Sequence, residues 1–280
     1  TVAVEDYDRL VEKMNGFGMA AFREEGMDGS FYTQFRQRLE SHPIATIEND
    51  DLRIDAVPGL GGRLVRILDK ATGKNLIDAG DPYYNYYPVY GGYDEITAWG
   101  WNCSGYANVY DVKIAGRAMT LTAKNPKGLV FSRTITLPAK GKKIDFVSSI
   151  ANGSDVTQTY RLVCRMPFVT PVDGTTLETM KADGSFIAAD PTEDYDFFWP
   201  YQLREMRFDG EKKPRGGWRL TSASEGWTIT NRFDEKAVAT CVWHHCKAKD
   251  VVRLDLHSAD REVKPGGKIV IKHSWEIAGK

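Results

Sequence analysis

The feature that most restricts the fold is a two-residue alternation of apolar and polar side chains, opening at Ala45 and recurring between turn residues almost to the C-terminus. In Ala45–Ile77, ATIENDDLRIDAVPGLGGRLVRILDKATGKNLI, the apolar Ile47, Leu52, Ile54 and Ala56 have charged neighbours, and Leu64, Ile67 and Leu68 follow the glycines. Successive side chains of a strand point to opposite faces, so this pattern describes strands with one face buried and one wet. Asn49-Asp50-Asp51 supplies a turn. Pro58 fixes its own φ, while Gly59, Gly61 and Gly62 free theirs, as a tight strand-to-strand corner requires.

The same rhythm predicts strands over 44–48, 51–57, 63–68, 107–114, 117–124, 128–137, 143–151, 156–164, 176–180, 185–189, 218–222, 226–231, 237–243, 250–256 and 268–277. Gly116, Asn125-Pro126-Lys127-Gly128, Asn152-Gly153-Ser154-Asp155 and Lys264-Pro265-Gly266-Gly267 are among the turns between them. Short strands without intervening helices predict an all-β chain, a large antiparallel sandwich. Residues 1–43 read differently. Tyr7, Leu10, Val11 and Met14, then Phe31, Phe35 and Leu39 after a cap at Asp28 or Ser30, fall at helical spacing. They predict a short N-terminal helical extension, or the tail of a preceding domain, ahead of one β domain over 44–280. His42-Pro43 marks the boundary, because the residue before a proline is driven out of helical geometry.

The formal net charge is -1, with both signs interspersed, so no footprint for nucleic acid or an anionic membrane is present. No apolar run approaches the ~18 residues of a membrane span, and no cofactor motif is found. The expected state is soluble, either secreted or periplasmic or cytoplasmic. Cys103, Cys164, Cys241 and Cys246 stand at irregular spacing, with Cys164 and Cys241 expected as buried thiols. Cys241, His244, His245 and Cys246 are dense in soft ligands, but strand geometry sends His244 and His245 to opposite faces and no zinc spacing fits, so no metal is expected.

Two long segments break the rhythm, 78–106 and 190–217, and both combine Tyr and Trp with carboxylates. Flat aromatic faces stack on sugar C–H surfaces while acids bond hydroxyls, so a mono- or oligosaccharide is the expected ligand. Tyr93, Trp99 and Trp101 in the first segment and Trp199 in the second are the stacking candidates. Tyr83, Tyr84, Tyr86 and Tyr87 fit equally as a plug at the end of a sandwich.

The Ala45–Ile77 run, with its Gly-Gly-Arg and Asp-Lys-x-Thr-Gly-Lys-Asn-Leu segments, resembles the opening strands of galactose mutarotase-like domains. Val251–Ser258 with Val263–Lys268 resembles their end. The resemblance implies a super-sandwich of the kind found in sugar epimerases and in domains of polysaccharide-processing enzymes. Gly91-Gly92-Tyr93-Asp94-Glu95 is similar to a segment that faces the sugar there, which implies that Glu95 accepts hydroxyl protons; a solvated surface turn is the alternative. Where mutarotases carry a general-acid histidine, this chain reads Arg165-Met166-Pro167-Phe168. Methionine cannot transfer a proton and arginine stays protonated. Arg165 is then either a clamp for a sugar hydroxyl pair or carboxylate, or a structural ion pair. Asp255 falls near the place of the family's base, with an outward strand acid as the alternative, and His244 is the strand-end imidazole able to replace the missing acid. Three readings follow. The first is a carbohydrate-binding module at the C-terminal end of a larger glycoside hydrolase-like protein, with other domains or chains as partners. The second is an epimerase or mutarotase using His244 and an acid such as Asp255 or Glu95. The third is an interface domain without a ligand.

Overall fold

The computed structural model describes residues 43–59, 61–77, 92–97, 105, 108–197, 203–247 and 250–279. The predicted helical extension, and Trp99, Trp101 and Trp199, lie outside them. Numbered in chain order, the strands build two main antiparallel sheets. The larger runs β13 (Phe186–Ala188), β12 (Thr175–Met180), β16 (Gly217–Ser222), β17 (Trp227–Phe233), β21 (Lys268–Gly279), β9 (Lys143–Asn152), β8 (Leu129–Thr136), β7 (Ala118–Lys124), β6 (Asp111–Ala115). The smaller runs β14 (Glu193–Phe197), β15 (Leu203–Phe208), β18 (Thr240–Cys246), β19 (Val251–His257), β11 (Val163–Val169), β5 (Asp94–Ile96). A four-stranded sheet of β1 (Ala45–Glu48), β2 (Leu52–Val57), β3 (Arg63–Asp69) and β4 (Lys74–Asn75) joins the smaller sheet through the isolated bridges Leu64–Tyr93 and Ile77–Phe168. β10 (Gln158–Tyr160) and β20 (Arg261–Val263) form a separate pair.

The nine-stranded sheet follows the alternation closely. In β7, β8, β9 and β21 every second residue is buried: Met119 and Leu121, Phe131 and Ile135, Ile144, Phe146 and Ile150, Ile271 and Trp275. These meet Cys164, Met166 and Phe168 of β11 and Val252, Leu254 and Leu256 of β19 in one core. At its centre the Phe168 ring lies 5.0 Å from Trp275 and 5.9 Å from Trp218. Buried aromatics of this size are each worth roughly 4–6 kcal/mol of apolar burial.

Three expectations are corrected. The segment 190–217, read as a loop, folds in part into the β14–β15 hairpin, which extends the six-stranded sheet to its edge. Charges on both faces, Glu193 opposite Arg207 and Asp196 opposite Arg204, erase the apolar alternation there. The strand expected over 156–164 is divided into β10 (Gln158–Tyr160) and the start of β11, which runs on to Val169 because it is buried on both faces through Phe168 and shows no period of two. His244 is not a strand-end residue; it lies within β18, paired with Arg253 on one side and Glu205 on the other.

Candidate functional site

The six-stranded sheet has two unlike faces. Toward the nine-stranded sheet it presents Cys164, Met166, Phe168, Val252, Leu254 and Leu256. Alternation then sends Arg165 and Pro167, Arg253, Asp255 and His257, His244, Glu205 and Asp94 to the outer face. Register brings them together: Arg165 stands between Asp94 of β5 and Asp255 of β19, and His244 between Arg253 and Glu205. Directly opposed side chains of neighbouring strands sit about 5 Å apart, so residues distant in sequence become one charged patch. Arg63, at the start of β3, joins it.

These side chains are buried; none of Arg63, Asp94, Arg165, His244, Arg253, Asp255 or His257 is more than 2% exposed. The patch reaches solvent at Glu205, whose side chain is 32% exposed. Arg165 grips Asp94 with both prongs of its guanidinium, Nε donating to Oδ1 at 2.7 Å, and Arg63 Nε stands 3.6 Å from Asp94 Oδ2. Burial alone would raise the Asp94 carboxyl, but Arg165 and Arg63 hold it below its ordinary value. Arg253 Nε donates to Asp255 Oδ1 at 3.0 Å. The other oxygen of Asp255 faces two imidazoles, with His244 Nε2 at 3.6 Å and His257 Nε2 at 3.9 Å. Burial again works against the charge, and Arg253 with the two histidines overcomes it, so Asp255 is held far below the usual carboxylate range. His244 has Glu205 Oε2 3.4 Å from its Nδ1. Burial, and then Arg253, depress its pKa against the opposing pull of Asp255 and Glu205; burial depresses His257 likewise. At neutral pH the patch therefore holds ionised carboxylates and uncharged imidazoles.

Glu95 and Tyr93 do not belong to this patch. They flank Asp94 in sequence and so point the other way, into the core. Arg133 Nε donates to both oxygens of Glu95, at 2.7 and 2.9 Å, and Ser148 Oγ donates to Oε1 at 2.6 Å. Tyr93 stacks on Phe146, with ring centroids 4.9 Å apart, and its hydroxyl reaches His273 Nε2 at 2.9 Å. Glu95, expected to accept hydroxyl protons of a sugar, instead accepts from Arg133 and Ser148 in the core, and Tyr93, expected as a stacking residue, is packed there with it, because strand alternation places both behind the patch. His245 also points to the opposite face from His244, and burial followed by Arg204 lowers its pKa to about 4.

Of the sequence candidates, Arg165, His244 and Asp255 converge on the outer face. Sequence reading passed over Arg63, Asp94, Glu205, Arg253 and His257. A signal existed for two of them, since Arg253 and His257 lie two residues either side of Asp255 and share its face. Among the described residues no group of three or more His, Cys, Asp or Glu is arranged to hold a metal. Cys164, Cys241 and Cys246 are buried, and burial raises the Cys241 thiol to about 12.

The patch sets the Asp255 and Asp94 carboxylates beside the Arg63, Arg165 and Arg253 guanidiniums and an uncharged His244 imidazole, groups of the kind that hydrogen-bond hydroxyls. The two-sheet antiparallel super-sandwich defines the class by its architecture, and the chain has the galactose mutarotase-like fold. Its similarity to solved structures is one of fold. A galactose mutarotase-like protein from Lactobacillus casei shares 12% identity at TM-score 0.58, over 84% of this chain and 100% of that one. A galactose mutarotase related enzyme from Lactobacillus acidophilus shares 11% at TM-score 0.57, over 85% and 98%. A TPR-domain containing protein from Parabacteroides distasonis shares 14% at TM-score 0.64, over 85% of this chain but only 47% of that one. No protein-family model and no curated protein matches the sequence.

Proposed function

We propose that the chain is a carbohydrate-binding domain whose sugar site is the charged outer face of the six-stranded sheet. The observation that carries the reading is the convergence of Arg165, Asp94, Arg253, Asp255 and His244 from four separate strands onto one face. Buried charges in mutual ion pairs are costly to assemble, and fixed donors and acceptors reached from solvent at Glu205 suit hydroxyl recognition. Arg165 is held by Asp94 in a fixed position. The module reading is supported by the TPR-domain protein, in which a fold of this size is less than half of the chain. On that reading the domain serves a larger glycoside-processing protein, alongside other domains or chains. The stacking roles of Trp99, Trp101 and Trp199 are part of the proposal.

The test is titration with D-galactose, D-glucose and D-galacturonate, followed by NMR at the Arg165 and Arg253 Nε signals and the His244 ring. Saturable shifts at these groups at millimolar sugar are expected. No shift with any of the three refutes the reading.

One observation favours an epimerase as a second reading: an uncharged His244 stands between Asp255 and Glu205. On that reading the neutral imidazole takes the anomeric O1–H proton, that electron pair forms C1=O as the C1–O5 bond breaks, and the imidazolium, stabilised by the Asp255 anion, acts as the acid that returns the proton to O5. Glu95, engaged by Arg133 behind the sheet, has no part in that step. Polarimetry on freshly dissolved α-D-glucose and α-D-galactose separates the two readings, because a binding module leaves the spontaneous rate unchanged.

A further inference from the structure

Arg133, on β8 of the opposite sheet, is fully buried. Its Nε and Nη2 engage both oxygens of Glu95, and its Nη1 donates to the backbone carbonyl of Gly62 at 2.6 Å. Gly62 immediately precedes Arg63, and Glu95 immediately follows Asp94. Between these points two backbone hydrogen bonds tie Leu64 to Tyr93, at 3.1 and 3.0 Å. One guanidinium therefore holds, through the Gly62 carbonyl and the Glu95 carboxylate, both segments whose adjacent residues form the Arg63–Asp94 pair on the far side of the sheet.

We infer that Arg133 is a positioning residue for the outer-face site, clamping from behind the two segments that present Arg63 and Asp94 and so fixing where Asp94 stands relative to Arg165. β5 has only three residues and lies at the sheet edge, where short strands fray first. A buried ion pair is a poor device for stability alone, since apolar residues of equal volume do as well. Its geometry is the distinguishing property: a planar fork takes both carboxylate oxygens and leaves a third donor for a carbonyl. A lysine ammonium, a single point of charge on a flexible stem, cannot hold all three acceptors.

The inference rests on the proposed sugar site for its ligand arm only, and the test has a second arm that needs no ligand. In Arg133→Lys the interior charge remains but the clamp is lost. The Asp94 carboxyl, followed by carbon-13 NMR, is expected to titrate nearer its ordinary value, and the Arg63 Nε signal to move. Where the lysine variant fails to fold, Arg133→Met with Glu95→Gln removes both charges, and the Arg63 Nε signal is read in that background. Unchanged Asp94 titration and an unchanged Arg63 signal in a folded variant overturn the inference, as does failure of both variants to fold, which makes Arg133 structural. Affinity for whichever of D-galactose, D-glucose or D-galacturonate binds the parent protein is expected to fall at least about tenfold, the value of one charge-assisted hydrogen bond. Affinity held within about twofold also counts as refutation. If the parent protein binds none of the three, the sugar reading falls while the Asp94 titration still decides the role of Arg133.

Discussion

His273→Phe should relieve much of the protein's sensitivity to acid. The His273 ring is buried in the core, stacked on Phe146 with centroids 4.6 Å apart and an interplanar angle of 8°, and bonded to the Tyr93 hydroxyl. Burial, and then the nearby Arg133 charge, lower its pKa from 6.5 to about 3. Because the folded value lies below the unfolded one, only the unfolded chain takes up this proton between pH 6.5 and about 3. Stability is therefore whole above that window and is lost as pH falls through it. At pH 4 the histidine has crossed about 2.5 pH units of the window, which at ~1.36 kcal/mol per unit costs about 3 kcal/mol. Phenylalanine fits the stacked position, and Tyr93 keeps Ser148 as a partner at 3.2 Å, so the variant should lose only about 1 kcal/mol at pH 7. Urea unfolding followed by tryptophan fluorescence at pH 7 and pH 4 gives the comparison. The other depressed histidines act equally in both proteins and cancel. The parent protein should lose about 3 kcal/mol more than the variant between the two pH values; losses equal within about 0.5 kcal/mol would refute the assignment.

Other outcomes follow from the same geometry. Glu95→Leu leaves the Arg133 guanidinium buried without its carboxylate and should cost about 3–5 kcal/mol, read as a lower urea midpoint; a cost below about 1 kcal/mol would mean that Arg133 finds another anion. Gly62 has φ +59, and a Cβ there would lie 2.8 Å from the Tyr110 ring, whereas Gly73 has φ +69 with nothing within 4 Å. Gly73→Ala should therefore cost only the left-handed backbone term of about 1–2 kcal/mol, with Gly62→Ala costing measurably more, and equal midpoints for the two variants would contradict this. Asp255→Asn removes the anion that pulls the His244 pKa upward, so an imidazole NMR titration should find it lower still, and a rise would show that Asp255 does not face the ring.

The strands of the larger sheet could be read from the sequence because each is wet on one side. Burial of one face writes a period of two into β7, β8, β9 and β21, and glycine and asparagine turns mark their ends. β11 and β19 are buried on both faces, so Arg165 and Asp255 sit in runs where apolar and charged residues follow no simple rhythm, and the sequence alone does not say which way either points. The β14–β15 hairpin was hidden for the opposite reason, since charges stand on both of its faces.

Arg165, His244 and Asp255 were visible as chemistry: an arginine where a general acid was expected, an imidazole and a carboxylate. Their convergence was not, because it depends on register between strands far apart in the chain. Asp94 and Glu95 make the distinction plain. As neighbours of like charge they are equivalent in sequence, yet one closes on Arg165 outside the sheet and the other on Arg133 within the core. Residue type and spacing determined that this chain would be β-sheet with acids and arginines along its strands. Only the packing of the second sheet, which selects the inner face, decided which of those charges form the outer-face patch and which stand behind it.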